Sequence, residues 1–166
     1  MLASLEAVAG WRTDRVQRPV MILGRLDGIA TGSRRLRRTR PLETEEIDGP
    51  RVPTLAEMAR IKAGLLATRH TVHDDLECAV LFERLGDDGT RDALLHELSP
   101  WPSGASPLVE ITERLAAAAP SDAPAVDLRT HKGSIPPWTD WDHVAARGRR
   151  FARVLAALVL DDGDAR

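Results

Sequence analysis

A lysine and an aspartate fall on the apolar faces of two consecutive predicted helices, where a charged group requires a ligand or a partner. Lys62 follows Met58 by four residues and precedes Leu65 by three, and these offsets place it on the inward side of the first helix. Asp74 precedes Cys78 by four residues, so it begins on the inward side of the second helix. Because an unpaired charge in a dry site is costly, both side chains need partners.

Lys62 and Asp74 are not expected to pair simply with each other. If the chain turns back near Thr71, Lys62 lies about nine residues before the turn and Asp74 about three after it, an axial mismatch of about 9 Å. Two interpretations stay open. Either both side chains line one pocket and meet a shared ligand, or Lys62 extends its head to the rim while Asp74 caps its own helix.

The residues between and after these positions include types that can bind zinc, namely His70, His73, Asp74, Asp75 and Cys78. Their spacing matches no familiar zinc-site pattern, and no second cluster supplies further ligands. We therefore interpret the histidines and Asp75 as parts of a solvated turn rather than as a metal site.

A run of arginines offers a second possible chemistry, the binding of phosphates. It comprises Arg34, Arg35, Arg37, Arg38 and Arg40. Four acidic residues follow between positions 43 and 48, and no aromatic residues are interleaved to stack bases. We expect a locally neutralised, solvated strand pair here rather than a nucleic-acid interface.

Composition limits the class of protein. The chain has 166 residues, of which 43% are apolar and 29% charged, with a net charge of −2, which fits one globular domain and excludes a strongly basic nucleic-acid protein. The single cysteine excludes a disulfide framework, and no apolar run approaches the roughly 18 residues of a membrane span. The segment Met1 to Trp11 lacks a basic start, so we do not expect it to be a signal peptide. We expect a cytoplasmic protein with no membrane association.

The elements that must position Lys62 and Asp74 change character near residue 53. Residues 16–52 predict a small antiparallel meander, with a strand over 19–23, turns at Asp27-Gly28 and Thr31-Gly32, and an extended segment over 33–40. Residues 53–166 predict helices over about 54–68, 71–85, 90–98, 106–119 and 139–160. The fold class is therefore α+β, in which the helical region 53–166 packs on the strand region 1–52 as one structural unit.

Two short motifs resemble the AbiEii/AbiGii-type nucleotidyltransferase family, which includes toxins of bacterial toxin–antitoxin systems. The segment from Val52 to Lys62 (VPTLAEMARIK) resembles the family's lysine-bearing helix, and His73-Asp-Asp-Leu-Glu77 resembles the Arg-Asp-x-x-Asp motif that opens the next helix. The regions 23–32, 38–45 and 136–141 are also similar to a bacterial branch of this family.

The resemblance implies a role for both charged residues. Lys62 would be the catalytic and nucleotide-binding lysine that faces the phosphates, and Asp74 the catalytic carboxylate that follows it. An intact family member would use Mg²⁺ to transfer a nucleotide from an NTP to an acceptor such as tRNA, and would have an antitoxin protein as partner. In such chemistry a lysine stabilises charge on the phosphates, and carboxylates hold the metal or orient the attacking hydroxyl.

The chain departs from the family pattern in two ways. His73 stands where the family has arginine, and Glu77 replaces its last aspartate. The family's glycine pair and Asp-x-Asp metal-binding strand have no counterpart before Val16, so we expect a truncated or degenerate member, with a strand region that is the remnant of a nucleotidyltransferase-like core. Enzymatic activity therefore stays open. The alternative is a non-catalytic helical module that binds a protein partner, in which both charges are structural.

Overall fold

The computed structural model of the chain describes residues 2–17, 21–34, 41–95, 107–131 and 133–164; side-chain placement is described for all of these except Arg34 and 161–164. The described residues confirm an α+β fold in which a small antiparallel sheet is followed by a helical bundle. They form two compact units, residues 1–40 and residues 41–166.

The first unit is a short helix and a three-stranded meander. Helix α1 (Leu2–Glu6) precedes β1 (Trp11–Gln17), β2 (Met21–Leu26) and β3 (Ile29–Arg34), which pair in that order. The β2–β3 turn is the predicted Asp27-Gly28, and both residues have positive φ, as a two-residue hairpin turn of this hand requires. The turn predicted at Thr31-Gly32 is wrong, because both residues lie inside β3 and pair with β2. The rest of the extended segment predicted over 33–40 lies outside the described residues.

The second unit begins with a hairpin and continues as the helical bundle. Strands β4 (Thr44–Glu46) and β5 (Arg51–Pro53) pair antiparallel, and α2 (Leu55–Arg69) and α3 (Val72–Leu95) follow. After the gap come α4 (Pro107–Ala117), two short 3-10 turns (Ala123–Ala125 and Leu128–Thr130) and α5 (Trp141–Asp164). This grouping places the β4–β5 hairpin with the helices, whereas the sequence division at residue 53 placed it with the strands.

Local signals in the sequence account for the helix boundaries. Thr54 accepts a hydrogen bond from the backbone N–H of Glu57, so the predicted N-terminal cap of α2 is confirmed. Helix α3 is broken at Gly86, whose φ of 72° and ψ of −178° are non-helical, which confirms the predicted end of a helix there.

The core of the second unit is an apolar cluster shared by α2, α3, α4 and α5. Phe82 of α3 and Phe151 of α5 are both fully buried and pack edge to face with ring centroids 5.5 Å apart. A smaller cluster lies around the start of α3 and includes Val72, Leu128 and Val144. These two clusters fix α3 between α2 and α5, and so fix the position of both sequence-predicted site residues.

Candidate functional site

The turn between α2 and α3 positions the aspartate. Helix α2 is capped at its C-terminus by His70, which adopts the left-handed conformation and donates its backbone N–H to the carbonyl of Leu66. Thr71 then caps the N-terminus of α3, and its backbone N–H and its hydroxyl both donate to Oδ2 of Asp74, at 3.0 and 2.7 Å. The backbone N–H of Asp74 lies 3.4 Å from the Thr71 hydroxyl in return. Asp74 thus completes a capping box, as one of the two open interpretations predicts.

Asp74 is also paired with the last residue of α2. The side chain of Arg69 donates from Nε to both carboxylate oxygens and from Nη2 to Oδ1, with a shortest distance of 2.6 Å. The carboxylate is fully buried, whereas Arg69 is 46% exposed. Burial alone would raise the pKa of Asp74, but the hydrogen bonds from Arg69 and Thr71 outweigh it and hold that pKa below its ordinary value. Asp74 is therefore ionised at neutral pH.

Lys62 has a different partner. Its Nζ lies 2.6 Å from Oε2 of Glu77 on α3, and both side chains are about 30% exposed. Both ion pairs, Lys62 with Glu77 and Arg69 with Asp74, join α2 to α3. Lys62 precedes Arg69 on α2 and Glu77 follows Asp74 on α3, as expected for two helices that run in opposite directions. The structure places the two sequence-predicted site residues in adjacent ion pairs, and, as the spacing predicts, they do not pair with each other.

One flank of Lys62 on α2 is apolar and partly exposed. Met58, Ile61 and Leu65 lie within four residues of Lys62 on α2, and all three keep part of their side chain accessible. The fully buried Ala59, Ala63 and Leu66 lie on the other flank of Lys62. Lys62 therefore lies at the boundary between the buried face of α2 and a partly exposed apolar flank.

The neighbouring carboxyl group of Asp75 has a raised pKa, in contrast to Asp74. Asp75 and His70 are both buried, with 3.1 Å between Oδ2 of Asp75 and Nε2 of His70, but neither atom has a hydrogen bond of acceptable geometry among the described residues. Burial, with the neighbouring charges of Asp74 and Asp122, raises the pKa of Asp75 to about 7. Burial and the charge of Arg114 lower the pKa of His70. The solvated turn that the sequence predicts for these residues is therefore wrong.

The sequence reasoning missed a buried ion network at the other end of α2. Arg60, 7% exposed, donates from Nε and Nη2 to Oε2 of Glu57, at 3.1 and 2.9 Å, and also from Nη2 to Glu43. Its Nη1 reaches the carbonyl oxygen of Ala93 on α3 at 3.5 Å. The spacing of Glu57 and Arg60 by three residues was the available signal, since such pairs meet on a helix.

The donor set near Asp74 does not fit a magnesium ion. Both oxygens of Asp74 already accept hydrogen bonds from Arg69 and Thr71, and Glu77 is paired with Lys62. Among the side chains that the structure describes, no group of three or more His, Cys, Asp or Glu could hold a metal ion. Cys78 is fully buried, and that burial raises the pKa of its thiol, which disfavours the thiolate that metals bind.

The arginine run and the expected absence of a membrane-spanning segment concern other parts of the chain. Most of the arginine run, residues 35–40, lies outside the described residues. No helix within the described ranges combines the length and the apolar character needed to cross a membrane.

In comparisons with known proteins, no family model, no curated protein and no solved structure matches this chain.

Proposed function

We propose that this chain is a nucleotidyltransferase-related protein of the AbiEii/AbiGii type, in which Lys62 faces the phosphates of a bound NTP. The observation that carries the proposal is the setting of Lys62, a half-buried ammonium group among the partly exposed side chains of Met58, Ile61 and Leu65. A cation at the edge of a partly exposed apolar surface suits a ligand that has both a flat apolar base and a charged phosphate chain. The motifs around Lys62 and Asp74 support the same assignment.

In the proposed reaction, a hydroxyl oxygen of an acceptor such as tRNA attacks the α-phosphorus of the NTP. A new phosphorus–oxygen bond forms and the hydroxyl proton passes to solvent, while the bond between the α-phosphorus and the bridging oxygen breaks and pyrophosphate leaves. The ammonium of Lys62 would exchange Glu77 for the phosphates and stabilise the charge that develops there. Arg69, 46% exposed on the same side of α2, is a second cation within this region.

Asp74 would act by holding the turn rather than by touching the substrate. Its oxygens accept hydrogen bonds within the protein, so no step is assigned to Mg²⁺ through this residue. Magnesium, which an intact family member uses, would have to be held by other groups. An antitoxin protein as partner is proposed on the resemblance alone.

A nucleotide-binding titration tests the proposal. Wild type should bind ATP, GTP, CTP or UTP, and Lys62→Ala should lose at least about tenfold in affinity, because a charge-assisted contact to phosphate is removed. Glu77→Gln should bind as well as wild type or better, since it frees the ammonium group. The matched control is Arg84→Ala, which removes an exposed cation on α3. Equal affinity of wild type and Lys62→Ala, or no binding to either, would contradict the site assignment.

Activity requires a separate experiment. The protein is incubated with Mg²⁺, labelled NTPs and RNA, and transfer of label to the RNA is measured. Label transfer that depends on Lys62 would support an active enzyme. Nucleotide binding without transfer would support a protein that keeps the nucleotide pocket and lacks catalysis.

The second candidate function is a non-catalytic module that binds a protein partner. The fully buried and internally satisfied carboxylate of Asp74 favours it, because a residue with this environment stabilises the fold. On this alternative, Lys62→Ala and Asp74→Ala change the free energy of unfolding and leave ligand binding unaffected. Thermal melts of both variants, with and without NTP, separate the two functions, since only a nucleotide site raises the melting temperature on addition of NTP.

A further inference from the structure

Helix α5 carries arginines on two sides, and the two sides differ in their partners. Arg147 and Arg150 face α3, where Nη1 of Arg147 lies 3.5 Å from Glu83 and Nη2 of Arg150 lies 2.7 Å from Asp87. Arg149 and Arg153 lie on the other side, four residues apart and exposed, and neither forms an ion pair among the described residues. The second side thus presents two uncompensated positive charges.

These two arginines flank a shallow groove between α4 and α5. Small or short side chains line the rest of it: Thr112 and Ala116 from α4, and Ala152 and Ala156 from α5. Val109 precedes Thr112 by three residues and Leu160 follows Ala156 by four, so both extend the same faces, and they are 44% and 72% exposed. The face defined by these residues, the α4–α5 face, is therefore apolar along its length.

The opposite rim of the α4–α5 face carries one acidic residue, Glu113. Glu113 follows Val109 by four residues on α4, is exposed, and has no ion-pair partner among the described residues. The carbonyl oxygen of Leu115 lies 3.4 Å from the position that a Cβ on Gly148 would take, so Leu115 and Gly148 are at the same height along the groove. Glu113 is two residues from Leu115 and Arg149 is next to Gly148, so Glu113 and Arg149 are at similar heights. One face thus has a basic rim on α5, an acidic rim on α4 and an apolar floor.

We propose that the α4–α5 face binds a second copy of this chain in a two-fold symmetric dimer. A two-fold axis along the groove places α4 of one copy over α5 of the other at the same height. Glu113 of each protomer then meets Arg149 and Arg153 of its partner, and the apolar floors are covered. The face is self-complementary in charge. A nucleic acid would meet Glu113 as a like charge.

The dimer is expected to be weak and concentration dependent. The face spans twelve residues along α5, from Arg149 to Leu160, and the eleven steps between them cover about 16 Å. A contact of this length falls in the small-interface class, which is typical of transient association.

Sedimentation velocity of the full chain over a concentration series tests the proposal. Wild type should show a monomer–dimer equilibrium, and either Glu113→Arg or the double variant Arg149→Glu with Arg153→Glu should raise the dimer dissociation constant by at least about tenfold. Mixing those two variants restores opposite charges across the interface, so a heterodimer should form. Arg84→Glu is the matched control, because it reverses an exposed charge on α3, outside the α4–α5 face.

Three results would overturn the proposal: wild type that stays monomeric up to about 1 mM, a dimer that survives the double reversal, or mixed variants that do not associate. Circular dichroism melts of each variant confirm folding, so that a loss of dimer is not mistaken for unfolding. A monomeric wild type would leave a different protein as the occupant of this face.

Discussion

The guanidinium of Arg69, at the end of α2, lies 2.6 Å from the fully buried carboxylate of Asp74, in the first turn of α3. The same carboxylate accepts hydrogen bonds from the backbone N–H and the hydroxyl of Thr71. One side chain therefore closes the turn between the two helices that carry both sequence-predicted site residues. Asp74 therefore stabilises the turn between α2 and α3.

Asp74→Ala should lower the free energy of unfolding by about 2 kcal/mol, because the helix cap is lost and a partly buried donor on Thr71 is left without its acceptor. Urea denaturation followed by circular dichroism measures the change. Asp92→Ala, at an exposed position of α3, is the matched control and should change stability by less than about 0.5 kcal/mol. Equal effects of the two substitutions would contradict the capping role.

The Lys62–Glu77 ion pair should contribute much less to the free energy of unfolding than the Asp74 cap does. Both side chains are about 30% exposed, so water screens their attraction, and the coupling energy should be about 0.5 kcal/mol. A double-mutant cycle with Lys62→Met and Glu77→Gln measures it through urea denaturation. A coupling above about 2 kcal/mol would indicate a structural pair of the buried kind and would weaken the case that Lys62 is available to a ligand.

The sequence predicts the helical half better than the sheet. Local signals, such as the cap at Thr54 and the glycine at position 86, act through neighbouring residues and so can be recognised in one dimension. Strand β1 was missed because it has few apolar residues and is held mainly by pairing with β2, a contact between residues up to fifteen positions apart.

Helical spacing predicts which way Asp74 faces, but it does not predict the partner of Asp74. The inward placement of Asp74 follows from helical periodicity, and its buried carboxylate confirms it. The pairing with Arg69 depends on the left-handed conformation of His70, which redirects the chain between them. No spacing rule for a continuous helix anticipates a contact across such a turn.

The buried pair of His70 and Asp75 should make stability depend on pH in two opposing ways. The pKa of Asp75 is raised from 3.8 to about 7, so the folded state binds an extra proton, and the resulting stability is lost as pH rises from about 4 through 7. The pKa of His70 is lowered from 6.5, so its contribution is present above pH 6.5 and is lost as pH falls below that value.

Substitution separates these two contributions. Relative to wild type, Asp75→Asn should gain stability as pH rises towards 8, because the variant cannot ionise beside Asp74 and Asp122. His70→Gln should remove the loss below pH 6.5, so its stability continues to rise on acidification. Thermal melts between pH 4 and about 8 measure both. Parallel pH profiles for wild type and Asp75→Asn would contradict the raised pKa.

Substitution of the buried Arg60, in the first half of α2, should cost more stability than substitution of Asp74 or of Glu43. Arg60→Met should lower the free energy of unfolding by about 3 to 5 kcal/mol, because it takes a cation away from the buried carboxylate of Glu57. Glu43→Gln is the matched control within the same network. Since Glu43 is 54% exposed, that substitution should cost less than about 1 kcal/mol. Similar losses for both variants would contradict this difference in burial.

Two glycines of the α2–α3 pair should respond to alanine with opposite signs. Gly86 has a φ of 72° and a ψ of −178°, a conformation essentially confined to glycine, so Gly86→Ala should cost about 1 to 3 kcal/mol. Gly64 lies inside α2 with nothing within 4 Å of the position that a Cβ would take, so Gly64→Ala should stabilise the protein by about 0.5 to 1 kcal/mol through the entropy of the unfolded chain. Urea denaturation of the two variants measures both changes. A destabilising Gly64→Ala would show that a further group covers that side of α2, and a neutral Gly86→Ala would show that the break in α3 is not imposed by the backbone.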